Sequence, residues 1–203
     1  MRSFIRETAL AAIIPGDNVD TDQIIPARFL KFDRAAGYGQ FLFHDLRFDE
    51  TGAERPDFVL NRASFRAAKV LVTGENFGCG SSREGAVYAL CDYGVRAVVG
   101  PSFGDIFYNN ALKNGLLPVR LAAPELAALR EAMGRGAGCQ ITVDLEQERV
   151  ELPEGRIAPL SIDPFWRECI LKGVDEIDLT LGYMARIESF ERDHLSRMRW
   201  LDS

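Results

Sequence analysis

Ser81, Ser82 and Arg83 stand together where a glycine-rich loop runs into an amphipathic stretch, in G-E-N-F-G-C-G-S-S-R-E-G at residues 74–85. Two hydroxyls and a guanidinium at a helix start can hold a carboxylate, because the first N–H groups of a helix are unpaired and its dipole is positive there. A strand pattern ends near Val72, the glycines permit a tight turn, and Ser81 and Glu84 have the spacing of a capping box. That spacing predicts a helix beginning at the serine pair. The plainer role of the same residues is structural, with Ser81 as N-cap, Glu84 as its reciprocal partner and the glycines as a connector.

Other glycine-loop chemistries fail on particular residues. The dinucleotide fingerprint needs a third glycine where Arg83 stands, and the nucleotide-hydrolase phosphate loop needs a Gly-Lys-Ser or Gly-Lys-Thr that is absent here. A nucleophile elbow needs glycine two residues on either side of its serine, which neither Ser81 nor Ser82 has. Only His44 and His194 are available as imidazole bases, and neither is placed beside Ser81 or Cys79 by the sequence. A self-sufficient serine or thiol hydrolase is therefore poorly supported.

With 203 residues, 47% of them apolar, and a net charge of −6, the chain can bury a full core and has no basic field for nucleic acid or a membrane surface. The apolar run at residues 9–14 is too short to span a bilayer and is closed by Pro15 and Gly16, so a cytoplasmic protein is expected. Cys79, Cys91, Cys139 and Cys169 form no Cys-x-x-Cys pair or Cys-His cluster, so no metal site is expected on this chain. Cys91, Cys139 and Cys169 are expected in the core.

The elements that must position the loop follow from glycine and proline punctuation. Residues 1–60 look loop-rich, with a polar turn at 17–23 and an aromatic segment holding Tyr38, Phe41, Phe43 and Phe48. Strand, helix, strand, helix and strand then alternate at residues 70–73, 84–93, 97–100, 105–113 and 117–120, an α/β unit with parallel strands. A helix at 124–133, glycines, a hairpin pairing 140–145 with 150–152, a helix opened by Asp163 and Pro164, and a charged helical tail complete the chain.

Three motifs then act together: D-N-V-D-T-D-Q-I-I-P at 17–26, the loop at 74–84, and P-S-F-G-D-I-F at 101–107. With Asn109, Asn110, N-G-L-L-P at 114–118 and the segment 165–181, they resemble, in order and in register, the small subunit of 3-isopropylmalate dehydratase. The resemblance implies an α/β fold, the swivelling β/β/α three-layer domain of the aconitase type. It would span residues 1–203 as a single domain, with a core at about 10–180 and a helical extension at 181–203. It also implies a larger partner subunit carrying a four-iron, four-sulfur cluster, and no cofactor on this chain. By the same resemblance Ser81 is the catalytic base, acting as an alkoxide, and Ser82 and Arg83 bind a substrate carboxylate. Phe29, Leu30 and Lys31 lie in the loop that meets the variable end of the substrate.

The reaction implied is a hydro-lyase isomerisation of 2-isopropylmalate to 3-isopropylmalate by dehydration and rehydration, in leucine biosynthesis. Lys31 would also suit an extra carboxylate, as in homoaconitate, or simply extend into solvent. Where the family's pattern continues Ser-Ser-Arg-Glu with His-Ala-Pro-Trp, this chain has Gly85-Ala86-Val87-Tyr88. That departure keeps open a paralogue for a citraconate-, methylmalate- or dimethylmalate-like diacid, and a carboxylate-binding module without catalysis.

Overall fold

The apolar run that begins at Ala9 is the inside of a strand, β1 (Arg6–Ile13), although the first sixty residues read as loop-rich. β1 is central: in the computed structural model, which describes residues 1–134 and 139–198, it pairs in parallel with one neighbour and antiparallel with the other. After it come two one-turn helices, α1 (Thr21–Ile24) and α2 (His44–Arg47), linked by 3-10 turns. The alternating unit follows as β2 (Val70–Val72), α3 (Glu84–Tyr93), β3 (Ala97–Gly100), α4 (Asp105–Lys113) and β4 (Leu117–Arg120). Next are α5 (Ala123–Gly134), the strands β5 (Cys139–Asp144), β6 (Arg149–Glu151) and β7 (Ile157–Pro159), then α6 (Pro164–Lys172), α7 (Glu176–Leu181) and α8 (Met184–Arg197). The glycine stretch at 135–138 and the last five residues of the expected extension lie outside the described residues.

Among the described residues seven strands form one sheet in the order β4-β3-β2-β1-β5-β6-β7, parallel from β4 to β1 and antiparallel beyond. Successive side chains alternate between two cores, as the period of a strand demands. Val70, Val72, Ala97 and Val99 pack on one face with Leu126 and Leu129 of α5 and with Val143 and Val150 of the antiparallel half. Leu71 and Val98 pack on the other with Val87 and Leu90 of α3, Phe107 of α4 and the loops of the first sixty residues. The sheet curls so that both halves share the first core, which is the mixed α/β half-barrel of the swivelling aconitase-type domain.

Buried polar groups hold the aromatic segment against α3. The Arg47 guanidinium donates to Asn61 Oδ1 and to the Leu42 carbonyl, while Asn61 Nδ2 donates to the carbonyls of Arg47 and Arg55. Arg47 also lies 5.0 Å from the ring centre of Tyr93, at the end of α3.

One glycine of the loop is obligatory on two counts. Gly78 has φ +75°, and a Cβ there would lie 2.2 Å from Cγ of the Phe107 ring. A Gly78→Ala substitution combines a left-handed backbone with overpacking, so a loss of about 2–4 kcal/mol is expected as a lowered urea midpoint. Unchanged stability would show that the loop relaxes away from α4.

Candidate active-site loop at the head of α3

The three motifs meet at one place. Asp17 Oδ1 accepts from the Glu75 N–H (2.8 Å), Asn18 N–H donates to the Glu75 carbonyl (2.8 Å), and Asn76 Nδ2 donates to Asn18 Oδ1 (2.8 Å). Gly78 N–H donates to Val19 O (2.7 Å), Thr21 N–H to Cys79 O (2.9 Å), and Thr21 Oγ1 to Ser81 O (3.0 Å). From the other side, Asn76 N–H donates to Ser102 Oγ (2.8 Å) and Gly104 N–H to Phe77 O (2.9 Å). The loop at 74–81 is thus laced between two segments about sixty and about twenty-five residues away. Elements far apart in sequence fix where the serine pair lies.

This lacing overturns the expected capping box. The helix begins at Glu84, as the alternating pattern indicated, and not at the serine pair; Arg83 occupies the N-cap position with extended backbone (φ −119°, ψ 99°), and no side chain caps α3. The cause is the pull of Thr21 on Ser81 O, which holds Ser81 in the loop. Glu84 turns elsewhere, accepting from Asn114 Nδ2 at 2.9 Å and hydrogen-bonding Tyr88. Neither Ser81 nor Ser82 is a cap. Both are exposed, and among the described residues their hydroxyls have no protein partner.

Arg83 has a partner that sequence reasoning missed. Its Nη1 donates to Asp22 Oδ1, and the same oxygen accepts from the Ala27 N–H at 2.9 Å. These contacts, first the backbone bond and then the guanidinium, hold the Asp22 carboxyl below its ordinary pKa. The turn at 17–23 does bond its carboxylates to backbone, Asp17 to Glu75, Asp20 to Gln23 and Asp22 to Ala27, but Asp22 also ties Arg83 to the start of the next loop. No local pattern marks two residues 61 apart as a pair.

That next loop carries the remaining expected residues. Leu30 is half-buried and lies against Gly85 in the first turn of α3, which brings it to the neighbourhood of Arg83. Phe29 is turned into aromatic packing, stacked on Phe41 at 4.4 Å between ring centres, with Arg28 over its face at 4.5 Å. Lys31 is exposed, its amine 5.9 Å from the centre of the Phe32 ring. The structure therefore brings Leu30 to the head of α3 and turns Phe29 onto Phe41 instead.

Beside it, Arg28 forks onto Asp45, which also contacts His44 Nδ1 at 3.0 Å. Arg28 first, with help from His44, lowers the Asp45 pKa from 3.8 to about 2. A depressed carboxylate stabilises the fold fully above its unfolded value and loses that contribution as pH falls through the folded one, here between about 4 and 2. The pair is more than half exposed, so its weight in stability is small. The direct check is NMR titration of the Asp45 carboxyl: a midpoint near 2 that returns toward 3.8 in Arg28→Ala is expected, and an unmoved midpoint would contradict the pairing.

The cysteines sit apart and are free. Burial pushes the Cys91 thiol up to about 11, which suits the expected core role, and Cys169 is fully buried. Cys139 is only partly buried, packed against the edge of the first core. Among the described residues no group of three or more His, Cys, Asp or Glu is placed to hold a metal ion, so these side chains offer no cradle for a cluster. No helix among them is long and apolar enough to cross a membrane.

The same architecture recurs in known proteins. Residues 1–124 match the family described as the aconitase C-terminal domain. The chain is 50% identical over 200 residues to the 3-isopropylmalate dehydratase small subunit of Rhodospirillum centenum, covering 98% of both chains. It is 47% identical to that of Dinoroseobacter shibae, covering 99% of this chain and 100% of the relative. Its fold is like that of a crystal structure of 3-isopropylmalate dehydratase from Methanocaldococcus jannaschii, with TM-score 0.63, 26% identity, and 94% of this chain and 99% of that one covered. A half-barrel with the Ser-Ser-Arg loop laced to the head of α3, and likeness of this extent along the whole chain, establish that it belongs to the 3-isopropylmalate dehydratase small-subunit family.

Proposed function

We propose that this chain is the small subunit of a hydro-lyase that interconverts 2-isopropylmalate and 3-isopropylmalate, acting with a larger iron–sulfur subunit in leucine biosynthesis. The observation that carries the reading is the Ser81-Ser82-Arg83 triplet, two unpartnered hydroxyls and a held guanidinium at the start of α3, in a chain half identical to a small subunit of that enzyme. Moving a hydroxyl between neighbouring carbons of a malate-like acid requires removal of a weakly acidic proton and departure of hydroxide. The cluster, on the partner in this reading, supplies a Lewis acid for the substrate hydroxyl.

The residues of this chain take the other tasks. Ser81 receives the proton of the carbon beside the carboxylate as an alkoxide, which the positive end of α3 and Arg83 stabilise. Ser82 and Arg83 grip that carboxylate, arginine with two parallel donors. Asp22 holds Arg83 in place, so the guanidinium meets the substrate already oriented. Leu30, against the head of α3, offers apolar surface to the branched end of the acid, while Phe29 is engaged with Phe41. Lys31 stays in solvent, and this substrate has no third carboxylate for it to meet.

A panel of di- and tricarboxylic acids tests the assignment. With the large subunit supplied, kcat/KM for 2-isopropylmalate should exceed that for citraconate, dimethylmalate and homoaconitate by tenfold or more, about what a pocket fitted to a few methyl groups achieves. A higher value for any of the others would move the chain to that substrate.

A further inference from the structure

The end of β1 borders a cavity that the serine loop does not use. Its volume is about 420 Å³, within the range of small-ligand sites, and its wall is apolar: Ile13, Phe58, Val59, Phe65 and Met133. Ile13 and Met133 belong to the first core and Phe58, Val59 and Phe65 to the second, so the cavity lies between the two. All of these but Met133 keep part of their surface open. The turns that carry the wall are closed by backbone bonds, Phe58 N–H to Arg55 O (3.2 Å), Asn61 N–H to Phe58 O (3.0 Å) and Phe65 N–H to Arg62 O (2.9 Å), so the space is preformed.

Two opposite charges stand at this cavity without pairing. Arg62 spends one nitrogen, Nη2, on the Asp57 carbonyl (2.9 Å), which sets the two residues side by side. Among the described residues the Asp57 carboxylate has no partner, and neither do the other nitrogens of the Arg62 guanidinium. An anion alone would be repelled by Asp57, a cation alone by Arg62, and an uncharged apolar molecule would use neither. A zwitterion with an apolar side chain suits all three surfaces. We propose that the cavity binds an apolar α-amino acid, with its carboxylate on Arg62, its ammonium on Asp57 and its side chain against Ile13, Phe58 and Val59. The site shares no residue with the one proposed for the reaction and does not rest on that reading. It does adjoin the loop's anchor: Pro15 also lines the cavity, and two residues on, Asp17 Oδ1 accepts from the Glu75 N–H at the root of the serine loop.

Titration of the full chain with L-leucine, followed by amide NMR, tests the site beside two truncated analogues, isocaproate without the ammonium and isoamylamine without the carboxylate. L-leucine should shift the amides of Ile13, Phe58 and Val59 saturably, with Kd about 1 mM or tighter. Each analogue should bind about tenfold more weakly, the weight of one charge-assisted contact. Asp57→Asn and Arg62→Gln alter exposed side chains, and each should weaken L-leucine about tenfold as well. Asp57→Asn should not weaken isocaproate, nor Arg62→Gln isoamylamine, since each analogue already lacks the group whose partner is removed. No saturable shift at these amides up to about tenfold above that Kd, equal affinity for either analogue, or L-leucine binding that both variants leave unchanged would overturn the proposal.

Discussion

Ser81→Ala should lower kcat of the assembled enzyme by about 100- to 10,000-fold, the range that a positioned base contributes, with KM and complex formation little changed. The substitution should be structurally silent. Ser81 is exposed, its hydroxyl has no protein partner among the described residues, and the contact that fixes it is the one from Thr21 Oγ1 to its backbone oxygen, which alanine keeps. A serine hydroxyl is ordinarily a poor base. Its environment supplies the correction, since the N-terminus of α3 is left without a side-chain cap and the neighbouring guanidinium adds a full positive charge. Retention of more than a tenth of the wild-type kcat would remove Ser81 from the chemistry. It would then be a backbone anchor for the loop.

Arg83→Lys should cost about 100-fold in kcat/KM despite keeping the charge, close to 3 kcal/mol of transition-state stabilisation. Arg83 uses one nitrogen on Asp22 and keeps the rest of its fork for a ligand, a division that a single ammonium cannot make. Lysine would either stay on Asp22 or leave it for the substrate. The measurement is a kcat and KM comparison of wild type, Arg83→Lys and Asp22→Asn. Asp22→Asn should lie between the other two, because the amide oxygen still accepts from Ala27 and Arg83 but no longer as an anion. Activity of Arg83→Lys within threefold of wild type would mean that charge alone suffices.

How much of this was legible in the sequence depends on how local each cause is. The alternating unit from β2 to β4, the β5–β6 hairpin and the Asp163-capped α6 follow from periodicity and punctuation within short windows, and they fold where those patterns lie. β1 escaped because its apolar run at residues 9–14 has no polar alternation. It is covered on both faces and paired on both edges, and β2, its parallel partner, lies some sixty residues away. The Ser-x-x-Glu spacing misled for a related reason. A capping box is a local preference, and Thr21 and Asn114 outbid it from other parts of the chain. The serine pair and arginine were visible as a motif, whereas Asp22 as the keeper of Arg83 and the contact of Leu30 with Gly85 exist only after the motifs meet.

The central claim is a division of labour between this chain and a larger subunit. The most direct test is anaerobic conversion of 2-isopropylmalate followed by product analysis, with this chain alone, the cluster-loaded large subunit alone, and the two mixed. Formation of 3-isopropylmalate only in the mixture is the predicted result. Turnover by this chain alone, or none in a mixture shown to contain the complex, would contradict it.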